Sequence, residues 1–109
     1  MITSFKLSVL SLLVAYSGAA FSESYEVKRV GCHINKSTCY VFVDRNPVSG
    51  CANKDRSLRW NGTSTNAQAA LSILLTAKAS GKKVSFGQDN NNDCVENYPT
   101  FDNVTIDEN

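Results

Sequence analysis

The chain has 109 residues, 42% of them hydrophobic, with 11 Lys and Arg set against 10 Asp and Glu. That length accommodates one domain and not two, and a formal net charge of +1 lacks the basic excess of a general nucleic-acid binder. No apolar run reaches the roughly 20 residues needed to span a bilayer, and no internal repeat, linker or long low-complexity tract divides the chain.

Residues 1–22 read as a secretory leader. Lys6 precedes the apolar run "LSVLSLLVAYSGAA", which is too short for a span and ends in small residues. Cleavage is expected after Ser22, with Ala20 and Ser22 in the small-residue positions; a cut after Ala20, with Gly18 upstream, competes with it. The fold is then expected in residues 23–109, where without Lys6 the two signs of charge balance.

Tyr25 and Val27 alternate with Glu26 and Lys28 as in a half-buried strand, and the alternation slips at Arg29, Val30 and Gly31, where a bulge is expected. "HINKST" follows as a turn. "CYVFVD", Cys39 to Asp44, is almost wholly apolar, β-branched and aromatic, and reads as a central strand. "RNPVSGCANKD" carries Pro47 and Gly50 and reads as a loop. "SLRW" sets Leu58 and Trp60 on one face and Arg59 on the other, and the turn signal Asn61-Gly62 ends it.

"TNAQAALSILLTAKASGKKVSF", Thr65 to Phe86, is a helix running into a strand. Thr65 and Gln68 have the spacing of a capping box. Ala67, Ala70, Leu71, Leu74 and Leu75 make one apolar stripe, Lys78 suits the negative end of the helix dipole, and Gly81 is the expected stop. Ile73 and Ala77 widen the stripe, as in a helix that is deeply buried or packs on the core with one side and on another subunit with the other. Val84 and Phe86 then alternate with Lys83 and Ser85 in a fourth strand. "DNNNDCVENYP" reads as a polar loop, and "TFDNVTID" as a fifth strand with Val104 and Ile106 on one face. Phe101 is out of step with them, which predicts a bulge or a late start.

The expected fold is mostly β with one helix, in the order βββαββ. A five-stranded, partly open Greek-key barrel of the OB type carries its helix at that point. The alternative is an α+β sheet with the helix across one face.

Cys32, Cys39, Cys51 and Cys94 all fall after the leader, and an even count in an exported chain predicts two disulfides. Three pairings are open. Cys32 with Cys39, closing a hairpin, and Cys51 with Cys94, tying a middle loop to a late one, is the favoured pairing. The second bridge would close a ring of about 44 residues, contributing on the order of 3 to 4 kcal/mol in the chain-entropy model.

Candidate chemistry is sparse. His33 is the only histidine, and with oxidised cysteines the chain offers no thiol nucleophile, so His33 reads as a turn residue and no catalytic residue is assigned. Cys32, His33 and Cys39 lack a fourth ligand at zinc spacing. Asp89, Asp93 and Glu96 among Asn90 to Asn92 fail the EF-hand spacing and read as a solvated loop. Neither a metal nor a cofactor is expected. Trp60 shares a face with Leu58, which favours the core, yet Trp60, Asn61 and Tyr98 at strand ends could form an aromatic-plus-amide patch suited to stacking on a sugar ring.

Two resemblances rest on these motifs. The strand order with one helix, in an exported chain with few cysteines, resembles the B subunits of bacterial toxins that carry one catalytic chain on a ring of five binding subunits. "NPVSGCAN" and "AALSILLTAKASGKKVSF" resemble a set of small exported bacterial proteins sharing an "NP..GCA" loop and an "lLltA.aSGk.V" helix-to-strand signature. The toxin resemblance implies a homo-oligomeric ring with helices lining a pore and barrel surfaces that bind host glycans; Ile73 and Ala77 would then make the subunit contact. This chain departs from it in having four cysteines and no sign of a catalytic partner. Because the resemblances are bacterial, the sequons at Asn35, Asn61 and Asn103 read as chance matches.

The resulting expectation is a non-enzymatic binding module, periplasmic or secreted, that recognises a glycan or a protein and not nucleic acid, with no membrane span once the leader is removed. The alternative is a monomeric periplasmic accessory or inhibitor protein acting on a partner through a loop such as Asn46 to Asp55.

Overall fold

The computed structural model describes residues 23–88, 90 and 92–108; the expected leader over 1–22 and Asp89 lie outside them. Strands β1 (Val27–Cys32), β2 (Thr38–Val43) and β3 (Ser57–Asn61) form an antiparallel meander with β2 in the centre. Tyr25 and Val27 are buried and Glu26 and Lys28 exposed, and the register shift falls between Val27 and Arg29, at the start of the segment where the alternation slips. Val41 and Val43 are buried on one face of β2 while Tyr40 and Phe42 half-cover the other, so this strand carries apolar mass on both sides, as a central strand does.

Helix α1 (Ala67–Ser80) departs from expectation at its N-terminus. Thr65 and Gln68 form no capping box: the cap position is Asn66, in the left-handed region at φ 63°, with no side-chain cap bond. The cause lies upstream. Asn61 Oδ1 accepts from the Thr63 N–H at 2.9 Å and the Thr63 hydroxyl at 2.7 Å, and its carbonyl accepts from the Ser64 N–H at 3.1 Å. That Asx turn coils the chain before the helix, and the Ala67 N–H is satisfied by the Ser64 carbonyl at 3.1 Å instead of by a threonine cap. The other end follows the sequence. Gly81 turns left-handed at φ 70°, and the Lys82 N–H closes on the Ala77 carbonyl at 3.0 Å.

The helix packs on β1 and β7 (Asn103–Ile106). Ala67, Leu74 and Ala77 enter the core beside Val41, Leu58 and Val84, with Ala70 and Leu71 against its margin. Leu75, expected in the buried stripe, is 49% exposed. Ala77, expected at a subunit contact, is wholly buried within this chain, its methyl group spent on the core.

β4 (Val84–Gly87) pairs antiparallel with β7, and Phe101 stands ahead of β7, so the last strand starts late. The polar loop between them holds one more element, the hairpin of β5 (Cys94–Val95) and β6 (Tyr98–Pro99). Glu96 and Asn97 form its two-residue turn, both at positive φ, 55° and 69°, the pattern of a type I′ turn whose twist suits a hairpin. Tyr25 bridges Val84 by reciprocal backbone bonds of 2.8 and 3.0 Å, and so ties the meander to the β4–β7 pair.

The protein is therefore mostly β with one helix. Among the described residues its strands lie in sheets of three, two and two, and not in a closed five-stranded barrel: β3 pairs with β2, and β7 with β4. Two disulfides hold the loops. Cys32–Cys39 joins directly opposed residues of β1 and β2, and Cys51–Cys94 ties the loop after β2 to the β5 hairpin, as suits an oxidising compartment. Among the described residues no helix is long and apolar enough to cross a membrane.

Candidate functional site

β3 separates two surfaces because its side chains alternate. Leu58 and Trp60 are buried in the core cluster, while Arg59, half-buried, stacks its guanidinium on Tyr98 at 3.7 Å from the ring centroid.

On the core side, the Trp60 ring lies 5.3 Å from that of Phe101, which in turn lies 5.0 Å from Phe86. Trp60 and Phe101 line a cleft of about 450 Å³ between the first turns of α1 and the Phe101–Val104 segment. Ala69, Ala70 and Ile73 line the helix side, and Ser64, Thr65, Asn66, Asp102 and Asn103 supply polar groups. The Asp102 N–H donates to the Gly87 carbonyl at 2.7 Å, which anchors that segment to β4. The indole Nε1 of Trp60 is buried and has no hydrogen-bond partner among the described residues. A buried donor without an acceptor is uncommon and costs of the order of 1–3 kcal/mol.

The outer side is covered at one end by the β5–β6 hairpin. The Thr38 hydroxyl donates to Glu96 at 2.7 Å and Lys36 reaches the same carboxylate at 3.2 Å. The Thr38 bond first, and Lys36 after it, outweigh the partial desolvation and hold the Glu96 carboxyl below the usual glutamate range.

The expected patch of Trp60, Asn61 and Tyr98 is thus divided. Trp60 lines the cleft, Tyr98 is stacked beneath Arg59 on the opposite face, and the Asn61 side chain is used by the turn before α1. Strand alternation alone separates them. Ile73 is half-buried on the helix wall of the cleft. The His33 ring sits 5.4 Å from Tyr40, with Nε2 buried and without a hydrogen-bond partner among the described residues. Glu96 is engaged with Thr38 and Lys36, and no group of three metal-ligating side chains occurs among the described residues.

Sequence reasoning missed Phe101, Asn103, Ser64 and Asn66 as neighbours of Trp60. The one legible signal was Phe101 standing out of step with β7, which frees its ring to turn toward Trp60. No family model matches the chain, and no curated protein or solved structure matches it either.

Proposed function

We propose that the chain is an exported, non-enzymatic binding module that takes a glycan in the Trp60 cleft. The observation that carries this reading is the aromatic pair Trp60–Phe101 set beneath amide, hydroxyl and carboxylate side chains. A sugar ring offers an apolar C–H face to aromatic rings and hydroxyls to such a rim, and the cleft volume falls within the usual range for ligand sites.

Three features support an OB-like arrangement. The meander β1–β2–β3 precedes the helix, the Tyr25–Val84 bridge makes the first strand segment common to both sheets, and the cleft lies at the seam where β3 and β7 would meet in a closed barrel. A toxin-like ring is the oligomeric form of this reading, with half-buried Ile73 as its contact residue on the helix. A second reading, a monomer acting on a protein through its loops, draws on Ile34 and Val48. Both are exposed large apolar residues, on the Cys32–Cys39 and Cys51–Cys94 loops or next to them.

Because Trp60 is the only tryptophan, its emission reports directly on the cleft. The oxidised 23–109 chain is screened on a glycan array, and hits are titrated by fluorescence and calorimetry. Hits that shift Trp60 emission and weaken about tenfold in Asn103→Ala, the loss of one or two hydrogen bonds, support the proposal. An empty array, or hits that leave the emission unchanged, overturns it. Light scattering on a sizing column separates the ring, which requires a pentamer, from the loop-acting monomer.

A further inference from the structure

The outer face of the meander carries a second set of groups that the glycan cleft does not use. Arg29 lies over Phe42 at 4.6 Å, Phe42 meets Tyr40 edge-on at 5.8 Å, and Arg59 lies between Tyr40 at 5.7 Å and Tyr98 at 3.7 Å. Gly31, opposite Tyr40 in the ladder, makes room for this row: a methyl group there would meet the tyrosine at 2.7–3.1 Å. Cations and rings from β1, β2, β3 and the hairpin so form one continuous surface.

Its arginines have hydrogen-bonding capacity to spare. Among the described residues Arg29 and Arg56 make no ion pair, and Arg59 has a single long one, 3.7 Å to Asp55, with its Nε buried and unpartnered. The nearby carboxylates also have other partners. Asp44 accepts from the Glu26 N–H at 3.0 Å and from Arg45 at 3.2 Å, and Asp55 accepts from the Ser57 hydroxyl. Arg56 is held at φ 66°, a left-handed conformation uncommon for a residue other than glycine. There it lines, with Arg29 and Phe42, a depression of about 430 Å³.

We propose that this face docks an acidic segment of a protein partner, its carboxylates on the exposed Arg29 and Arg56 and its apolar side chains on Tyr40 and Phe42. Arginine and aromatic residues are the groups that dominate binding energy at protein interfaces, and stacked guanidiniums keep their N–H edges available for bidentate carboxylate recognition. A dense polyanion fits less well, because Asp44, Asp55 and Glu96 interrupt the positive charge and would repel a continuous line of anions. A peptide places its carboxylates singly between them.

The test is selection from a random twelve-residue peptide library on the immobilised, oxidised 23–109 chain, followed by NMR titration of the recovered peptides against the arginine Nε–H signals. Enrichment of Asp and Glu is expected, with binding weakened by salt and by at least about tenfold in Arg29→Glu, the scale of a close charge pair. Arg56→Gln is the companion variant, and Arg29 and Arg56, both exposed on the surface, guard against loss of the fold being mistaken for loss of the site. Peptides without acidic enrichment, acidic peptides that bind Arg29→Glu as well as the parent, or displacement of bound peptide by heparin with tighter heparin binding, would each overturn the proposal. Trp60 emission with a glycan and the arginine signals with a peptide are read on the same protein, so either proposal can fail alone.

Discussion

Arg59 and Trp60 are neighbours in sequence and stand on opposite sides of β3: one guanidinium lies 3.7 Å from the Tyr98 ring centroid on the outer face, and the adjacent indole lies 5.3 Å from Phe101 in the cleft. A single strand thereby serves two surfaces, and each side chain can be altered with little direct effect on the other face.

Trp60 tests the interior side. Trp60→Ala removes a buried ring from the core and should cost about 3–5 kcal/mol in urea unfolding. Trp60→Phe should cost far less, because it keeps an aromatic partner for Phe101 and also removes the indole donor that has no acceptor. Equal losses for the two would show that ring packing is not what Trp60 contributes.

The disulfides should differ in weight. The Cys51–Cys94 bridge spans 43 positions and Cys32–Cys39 spans 7, so in the chain-entropy model their removal costs about 4 and about 2.5 kcal/mol respectively. Paired cysteine-to-alanine variants compared by thermal unfolding check the order. The reverse order would mean that the short bridge does more than restrict the unfolded chain.

The two ends of α1 depend on left-handed residues. Gly81 sits at φ 70°, and a methyl group there would meet no atom within 4 Å, so Gly81→Ala should cost about 1 kcal/mol from backbone conformation alone. Asn66→Gly, at φ 63° with no cap bond to lose, should be neutral or slightly stabilising. Denaturant midpoints for the two variants, moving in those directions, would locate the strain in the backbone.

Glu96 gives the stability a pH dependence with a defined sign. Its folded carboxyl titrates below the ordinary value of 4.5, with the Thr38 hydroxyl bond the largest cause. The hairpin contact therefore contributes fully above about pH 4.5 and is lost as pH falls through the lower folded value. Carbon NMR titration of the carboxyl should show the depressed midpoint. The stability difference between the parent and Glu96→Gln should shrink in that acid range, and a difference unchanged by pH would remove Glu96 from the account.

Much of the fold was legible before any coordinates. The switch from helical to alternating period at Gly81 places α1 and β4, and the apolar run Cys39 to Asp44 covers all of β2 but Thr38, because both are local patterns of burial. The capping box failed since the Asn61 side chain offered the backbone a competing turn, and both motifs use the same short polar residues. The β5–β6 hairpin escaped notice because Glu96-Asn97 is a weak turn signal inside a polar run, and the hairpin is held by Cys51–Cys94 and Thr38, which are distant in sequence.

The sequence by itself determined the order of the three-stranded meander, the helix and the strand after it, the alternation that turns Trp60 inward and Arg59 outward, and the glycine stop of the helix. These follow from periodicity, side-chain geometry and φ preference within a few residues. Tertiary structure alone decided that Phe101, and not Tyr98, meets Trp60, that Ala77 belongs to the core, and that Arg29, Phe42, Tyr40, Arg59 and Tyr98 form one row. Such contacts join residues far apart in the chain, and they depend on the register between strands and on how the helix settles across them, which no local pattern encodes.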